Sequence, residues 1–293
     1  MSMTIAVLST GDMGHAVGRA LGEAGHRVIT SLTGRSQRTR GLAESAGIRE
    51  VGGLGEVVGQ ADLILSILVP SEAESFALSV AAAIRAARSR AVFADCNAVA
   101  PATSLRMEKA IAAAGGRYID ASIIGPPPGR GDAPRFYTSG PHAGAMQALD
   151  GAGIVVRNMG PETGAASGIK MCYAGFTKGA SALSVGVLAL AQRLGVADEL
   201  DKEMAESQAA GLKRMRQQIP GLPVKARRWV GEMEEIAATF ASTDLPPGFH
   251  EAAAVIYKLM GETEFASETP ESLDRTRGLW ETIAAMDGQL PKR

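Results

Sequence analysis

The N-terminal stretch constrains this chain more than any other. Thr4-Ile5-Ala6-Val7-Leu8 reads as a short buried strand, Ser9-Thr10-Gly11-Asp12-Met13-Gly14 as a tight turn, and residues 13–24 as a helix. Strand, glycine turn and helix in that order open a βαβ unit, and a βαβ unit commits the chain to a parallel sheet. The alternation continues. Residues 27–31, 63–69, 91–95, 118–121, 136–139 and 153–157 are strand-like, and residues 73–86 and 101–114 between them have helical spacing.

After Gly160 the character changes. The chain is rich in Ala and Leu from Gly164 to Leu194, and residues 198–217, 224–242, 249–260 and 272–286 also have helical spacing. Pro220, Pro223, Pro246 and Pro247 mark the breaks. The expected architecture is an α/β Rossmann domain with a mostly parallel, doubly wound sheet over residues 1–160. An all-α domain, opened by a long interdomain helix, follows over 161–293.

Charge and cysteine content narrow the function classes. Lys and Arg number 30 against 31 Asp and Glu, so the chain lacks the basic excess of a nucleic-acid-binding groove. The longest apolar run, residues 63–70, is strand-sized, and the N-terminus lacks the basic and apolar regions of a signal peptide; no membrane association is expected. Cys96 and Cys172 cannot make a disulfide framework, which suits a reducing cytoplasm. His15, His26, His142 and His250 lie too far apart in sequence for metal-ligand spacing, so no metal site is expected. His250, just after Pro246-Pro247-Gly248, reads as a structural residue at a helix start.

The glycine turn has the context of a dinucleotide fingerprint. Gly11 would let backbone approach a pyrophosphate, Gly14 would let helix and strand pack closely, and the helix-start N–H groups would bind phosphate. Ser9 stands where the first glycine of G-x-G-x-x-G would be, so the turn alone is also compatible with a plain βα connection. The second strand sharpens the reading. NAD-binding chains commonly end it with an acid for the ribose 2′-hydroxyl. Here residues 28–40 hold no acid but contain Arg35, Ser36, Arg38 and Arg40. Guanidinium forks and hydroxyls suit a 2′-phosphate, so NADP is expected in preference to NAD. Arg40 is better read as solvating the next helix.

At these motifs the sequence resembles the β-hydroxyacid dehydrogenase superfamily, which includes 6-phosphogluconate and 3-hydroxyisobutyrate dehydrogenases. Ser9-Thr10-Gly11-Asp12-Met13-Gly14 is similar to the family's G-L-G-x-M-G, and Leu68-Val69-Pro70 to its M-L-P beside the cofactor. Asp95-Cys96-Asn97-Ala98-Val99-Ala100-Pro101 is similar to D-x-S-T-x-x-P, with Asn97 for serine. Asp120-Ala121-Ser122-Ile123-Ile124-Gly125-Pro126 is similar to the substrate-binding D-A-P-V-S-G-G; Ile124 replaces its serine, and Gly125 and Pro126 follow. Gly160-Pro161-Glu162-Thr163-Gly164-Ala165-Ala166-Ser167-Gly168-Ile169-Lys170-Met171-Cys172-Tyr173-Ala174 is similar to G-x-x-G-x-G-x-x-x-K-x-x-x-N, with Ala174 for asparagine. The C-terminal half resembles a less-characterised, 6-phosphogluconate-dehydrogenase-like branch.

The resemblance implies an NADP-dependent oxidoreductase acting on a small hydroxy acid, with Lys170 as acid/base and decarboxylation needing no metal. It also implies homodimerisation through the helical domain. On a helix, Lys170 shares a face with Tyr173, Ala174, Thr177 and Lys178. A half-buried lysine sheds its proton more readily. Tyr173 would donate to substrate and Lys178 would pair with an anion; the alternatives are a core aromatic and a surface charge. Cys172 reads as a small buried residue. Two other functions stay open: an imine reductase, and a dinucleotide-binding sensor without chemistry. Retention of Lys170 argues against both, while Ser9, Ile124 and Ala174 keep them in play.

Overall fold

The computed structural model describes residues 2–269 and 271–290. Residue 1, where the reading of the N-terminus begins, and residues 270 and 291–293 of the expected second domain lie outside them. The chain runs β1 (Thr4–Leu8), α1 (Asp12–Glu23), β2 (Arg27–Ser31), α2 (Gln37–Ser45), β3 (Arg49–Val51), α3 (Leu54–Gln60), β4 (Leu63–Ser66), α4 (Pro70–Ala87), β5 (Val92–Asp95), α5 (Pro101–Ala113), β6 (Arg117–Ile124), β7 (Arg135–Ser139) and β8 (Val155–Asn158). Among the described residues six α-helices follow: α6 (Ala165–Leu194), α7 (Ala197–Ser207), α8 (Ala209–Gln218), α9 (Pro223–Ala241), α10 (Gly248–Glu262) and α11 (Leu279–Asp287).

Alternate residues of β1 feed two hydrophobic cores. Ile5 and Val7 join Val17 and Leu21 of α1 in one, while Ala6 and Leu8 join Val80 and Ile84 of α4 in the other. A strand covered on both faces is why its sequence is almost wholly apolar. The sheet order is β3-β2-β1-β4-β5-β6-β7-β8. The first six strands run parallel, β7 is antiparallel to β6, and β8 is parallel to β7. The chain leaves β1 toward β2 on one side and returns to β4 on the other. The carboxyl ends of β1 and β4 therefore border a topological switch point, where such sheets bind ligands. The doubly wound sheet and the long helix after it are as expected.

Strand β3 and helices α2 and α3 escaped the periodicity. β3 is a three-residue edge strand with Arg49 and Glu50 exposed, too short and polar for an alternating signal. Helices α2 and α3 bury only Ala43, and Val57 and Val58, respectively. Two expected helices also differ. Residues 198–217 form two helices because Gln208 (φ −135°, ψ 37°) leaves helical space, after Ser207 has turned its hydroxyl back onto the Glu203 carbonyl. Residues 272–278 are not helical. Asp274 accepts from the Thr276 N–H and hydroxyl at 2.8 and 2.7 Å, a local turn that competes with helix, and α11 starts only after Gly278.

The chain divides into two compact units at Met171–Cys172, so the first two turns of α6 group with the sheet. In the second unit, Trp229 of α9 meets Tyr257 of α10 edge-on at 5.2 Å, and the Tyr257 hydroxyl donates to the Lys178 carbonyl. His250 is buried against Phe240 at 4.4 Å, and burial pulls its imidazole below the usual range. It is a core histidine. Among the described residues, α6 alone is long and apolar enough to cross a membrane by length and composition, and 44% of its most apolar stretch is buried.

Candidate active site

The end of β1 is shaped by two glycines with different jobs. A β-carbon on Gly14 would sit 1.9 Å from the Ser9 carbonyl oxygen, so only glycine lets α1 start this close to the strand. A β-carbon on Gly11 would meet nothing within 4 Å, and its φ of −75° is open to any residue. The fold does not require glycine there; the space beside it does not have to be empty for packing reasons. α1 also begins without a side-chain cap. Its first N–H groups and the positive end of its dipole make an anion cradle. Room at Gly11 and an uncapped helix fit a dinucleotide pyrophosphate.

Around this turn, Thr10 is fully buried and donates its hydroxyl to the Thr39 carbonyl at 3.2 Å. Met13 packs against the first core. Ser9 is not among the residues with left-handed backbone, so its φ does not call for the first glycine of the fingerprint. Asp12 is paired with Arg38 at 2.6 Å.

Past β2, the Arg35 backbone N–H closes the turn onto the Leu32 carbonyl, and its half-buried side chain has no hydrogen bond or ion pair among the described residues. Ser36 caps α2 by accepting from the Thr39 N–H at 3.3 Å. Arg40 donates to the Leu32 carbonyl at 2.6 Å and pairs with Glu50, so it is a structural tie rather than a residue that solvates the next helix.

The ends of β4 and β5 are joined through Asn97. Its oxygen accepts from the Leu68 N–H at 2.5 Å, and its amide donates to Ser66 at 3.1 Å and to Asp95 at 2.6 Å. Both amide protons are therefore committed inside the protein. What Asn97 controls is the position of Leu68, and after it Val69 (40% exposed) and Pro70, the first residue of α4. Asp95 is fully buried. Burial pushes its carboxyl up to about 7, against hydrogen bonds from Asn97 and Ser66, and the charge on Asp120 beside it adds to the rise. Cys96 is buried, and burial pushes its thiol up, with the Asp95 and Asp120 charges adding to the effect; it is a thiol, not a nucleophile.

Lys170 lies on the second turn of α6, half-buried, and its Nζ donates to the Ile123 carbonyl at 2.7 Å. Ile123 and Ile124 end β6 as buried residues; Gly125 follows with φ +128°, its added β-carbon 3.1 Å from Pro134, and Pro126 is exposed. Lys170 thus sits beside the segment that the sequence singled out. Tyr173, Ala174 and Lys178 fall in the second unit. Tyr173 is 49% exposed rather than core, and Ala174 is buried. Cys172 is exposed, a correction to its expected burial, because α6 turns Met171 and Ala174 inward and leaves Cys172 outside. Lys178 is neither a surface charge nor an open anion partner: it pairs with buried Glu232 and lies over the Trp229 ring at 4.9 Å. Among the described residues no group of three or more His, Cys, Asp or Glu converges as a metal site.

Residues 4–163 match the family model described as the NAD binding domain of 6-phosphogluconate dehydrogenase, and residues 191–260 match a domain of unknown function, DUF1932. The chain is 25% identical over 221 residues to an uncharacterised 28.5 kDa protein of Methanothermus fervidus, covering 75% of this chain and 84% of that one. It is similar to a solved protein of unknown function described as structurally similar to 3-hydroxyacid dehydrogenases (27% identity, TM-score 0.63, covering 88% and 96% of the two chains). It also shares its fold with 3-hydroxyisobutyrate dehydrogenase of Mycobacterium tuberculosis, solved with L-serine (18% identity, TM-score 0.66, covering 97% and 99%).

Proposed function

Because the chain belongs to the family of the NAD-binding domain of 6-phosphogluconate dehydrogenase, we propose that it is an NADP-dependent oxidoreductase of small hydroxy acids and their keto or semialdehyde forms. The observation that carries this reading is the half-buried Lys170 held beside the Ile123–Gly125 segment, at the carboxyl end of β6, which runs parallel to β5 and β4. Residues 1–160 would serve as the cofactor domain and 161–293 as the substrate and dimerisation domain.

Ser9, Thr10, Gly11, Asp12, Met13 and Gly14 would form the pyrophosphate turn. Arg35 and Ser36 would take the 2′-phosphate, with Arg38 bridging from Asp12. Leu68, Val69 and Pro70, set by Asn97, would line the nicotinamide pocket. When bound, the cofactor accepts or returns the hydride. Lys170 holds the proton at the substrate oxygen, taking it from the hydroxyl in oxidation and giving it back in reduction. A β-keto acid product would lose CO2 beside the same lysine, which stabilises charge on the carbonyl oxygen. Ile124, Gly125 and Pro126 shape the wall at that carbon, and Tyr173, Ala174 and Lys178 complete the family-derived substrate set, Lys178 at the cost of its Glu232 pair.

The test is NADP reduction with a panel of hydroxy acids, comparing the wild type with Lys170→Ala. A second reading, NADPH-dependent imine reduction, is favoured by Ile124 and Ala174, which remove two polar groups from the family's substrate set. Reduction of cyclic imines that survives Lys170→Ala would select it. Tight NADPH binding with no turnover of either class would select the sensor. A row of exposed apolar residues on α6 (Phe176, Leu183, Val187, Leu190, Leu194) supports a homodimer, checked by light scattering. Two unpaired cysteines suit a cytoplasmic setting.

A further inference from the structure

The first turn of α6 is not capped by its own residues. The carboxylate of Asp120, on β6, accepts from the Gly164 N–H at 2.9 Å, the Ser167 N–H at 3.0 Å, the Ser167 hydroxyl, and the Ser139 hydroxyl at 2.8 Å. The Ser139 oxygen in turn accepts from the Ala166 N–H at 3.0 Å. Three amides at the start of α6, those of Gly164, Ala166 and Ser167, therefore end on two side chains of the sheet, and Asp120 is 1% exposed. A helix normally takes its cap from the residue that precedes it, which ends the helix but ties it to nothing else. A cap supplied by a strand fixes where the helix starts and how it is rotated about its axis.

One turn beyond Ser167 comes Lys170, whose Nζ reaches the carbonyl of Ile123, three residues past Asp120 on the same strand. Strand β6 thus holds α6 twice, at its cap and at the lysine. We propose that Asp120 is the positioning residue for Lys170: its carboxylate sets the rotation of α6 and so aims the lysine at the end of β6. The proposal rests on the acid/base reading of Lys170 for its consequence in catalysis, but not for its geometry. Asp95, which faces Asp120 across the β5–β6 register, keeps its own donors in Asn97 and Ser66 and does not share this cap.

The experiment compares the wild type, Asp120→Asn and Ser167→Ala by acylation of lysines with acetic anhydride, read peptide by peptide by mass spectrometry, with exposed Lys109 as internal reference. Ser167→Ala keeps the carboxylate and two amide bonds, so it decides the matter if Asp120→Asn does not fold. The expected result is a rise of at least about tenfold in Lys170 labelling relative to Lys109 in Asp120→Asn and a smaller rise in Ser167→Ala, with NADPH affinity unchanged. With a turned-over substrate, kcat falls between about tenfold and a hundredfold and the pH profile shifts, since small misplacement of a catalytic group costs rates of that order. Unchanged Lys170 labelling in the folded variants overturns the proposal, whatever the enzyme turns over. Labelling that rises while Lys170→Ala leaves turnover intact upholds the positioning and removes the acid/base reading instead.

Discussion

A β-carbon added at Gly11 would meet nothing within 4 Å, and one added at Gly14 would lie 1.9 Å from the Ser9 carbonyl oxygen. Alanine at each position should therefore damage different properties. At Gly14 the clash is with backbone, so α1 must move away from β1. Overpacking of this kind costs about 1–3 kcal/mol, offset in part by the roughly 1 kcal/mol better helix propensity of alanine. A 1.9 Å approach to backbone belongs at the upper end of that range, so the net loss is about 2 kcal/mol and Tm should fall by roughly 4–8 °C in a protein of this size. At Gly11 the backbone suits alanine. The gain from a less flexible unfolded chain, about 0.4–1 kcal/mol, is nearly cancelled by the loss of glycine at a helix N-cap. Tm should stay within about 2 °C. NADPH binding should still weaken at least about tenfold, or 1.4 kcal/mol, because the methyl group occupies the approach of the pyrophosphate. Thermal unfolding and nicotinamide fluorescence titration read the two effects separately. Wild-type NADPH affinity in Gly11→Ala would refute the placement of the phosphates on this turn, and an unchanged Tm in Gly14→Ala would refute the packing argument.

Arg35→Ala should raise the Kd for NADPH about tenfold and leave that for NADH unchanged, by the same titration; equal loss for both cofactors counts against a 2′-phosphate contact. Asp95 keeps its proton in the native state up to about pH 7 but loses it near pH 3.8 when unfolded, so the native state binds the extra proton and stability should fall as pH rises through that window. Asp95→Asn should flatten the slope of Tm between pH 4 and 7. Glu232→Gln leaves Lys178 buried without its counter-charge and should cost about 3–5 kcal/mol in denaturant unfolding; a change within error would mean that the Trp229 face suffices.

The parts of this fold with strong periodicity were legible in the chain itself. The strand-like runs at residues 4–8 and 27–31 coincide with β1 and β2, because buried parallel strands carry apolar residues on both faces. The thirty residues of α6 were bounded to within a residue by Gly164 and by the loss of helical spacing after Leu194. Edge strand β3 and helices α2 and α3 were not, because elements that bury one or two side chains leave no period to find. At the site, the glycine turn, Asn97 and Lys170 carried recognisable patterns, but the roles of Asp95 and Asp120 did not. Each stands inside a motif quoted for other residues, and an acid at the end of an apolar strand was the available signal. What each holds depends on Ser66, Ser139, Gly164 and Ser167, which come from other elements. Lys178 shows the reverse: helical spacing placed it with Lys170, and only the packing of α9 reveals Glu232 as its partner.

The central claim is that Lys170 moves the substrate proton. The direct measurement is the rate of NADP reduction at 340 nm across a panel of hydroxy acids, for the wild type and Lys170→Ala, with NADPH affinity measured in both. The account predicts at least one acid that the wild type oxidises, a loss of about 10²- to 10⁴-fold in the variant, and unchanged cofactor affinity. An acid oxidised equally fast by both proteins would contradict it.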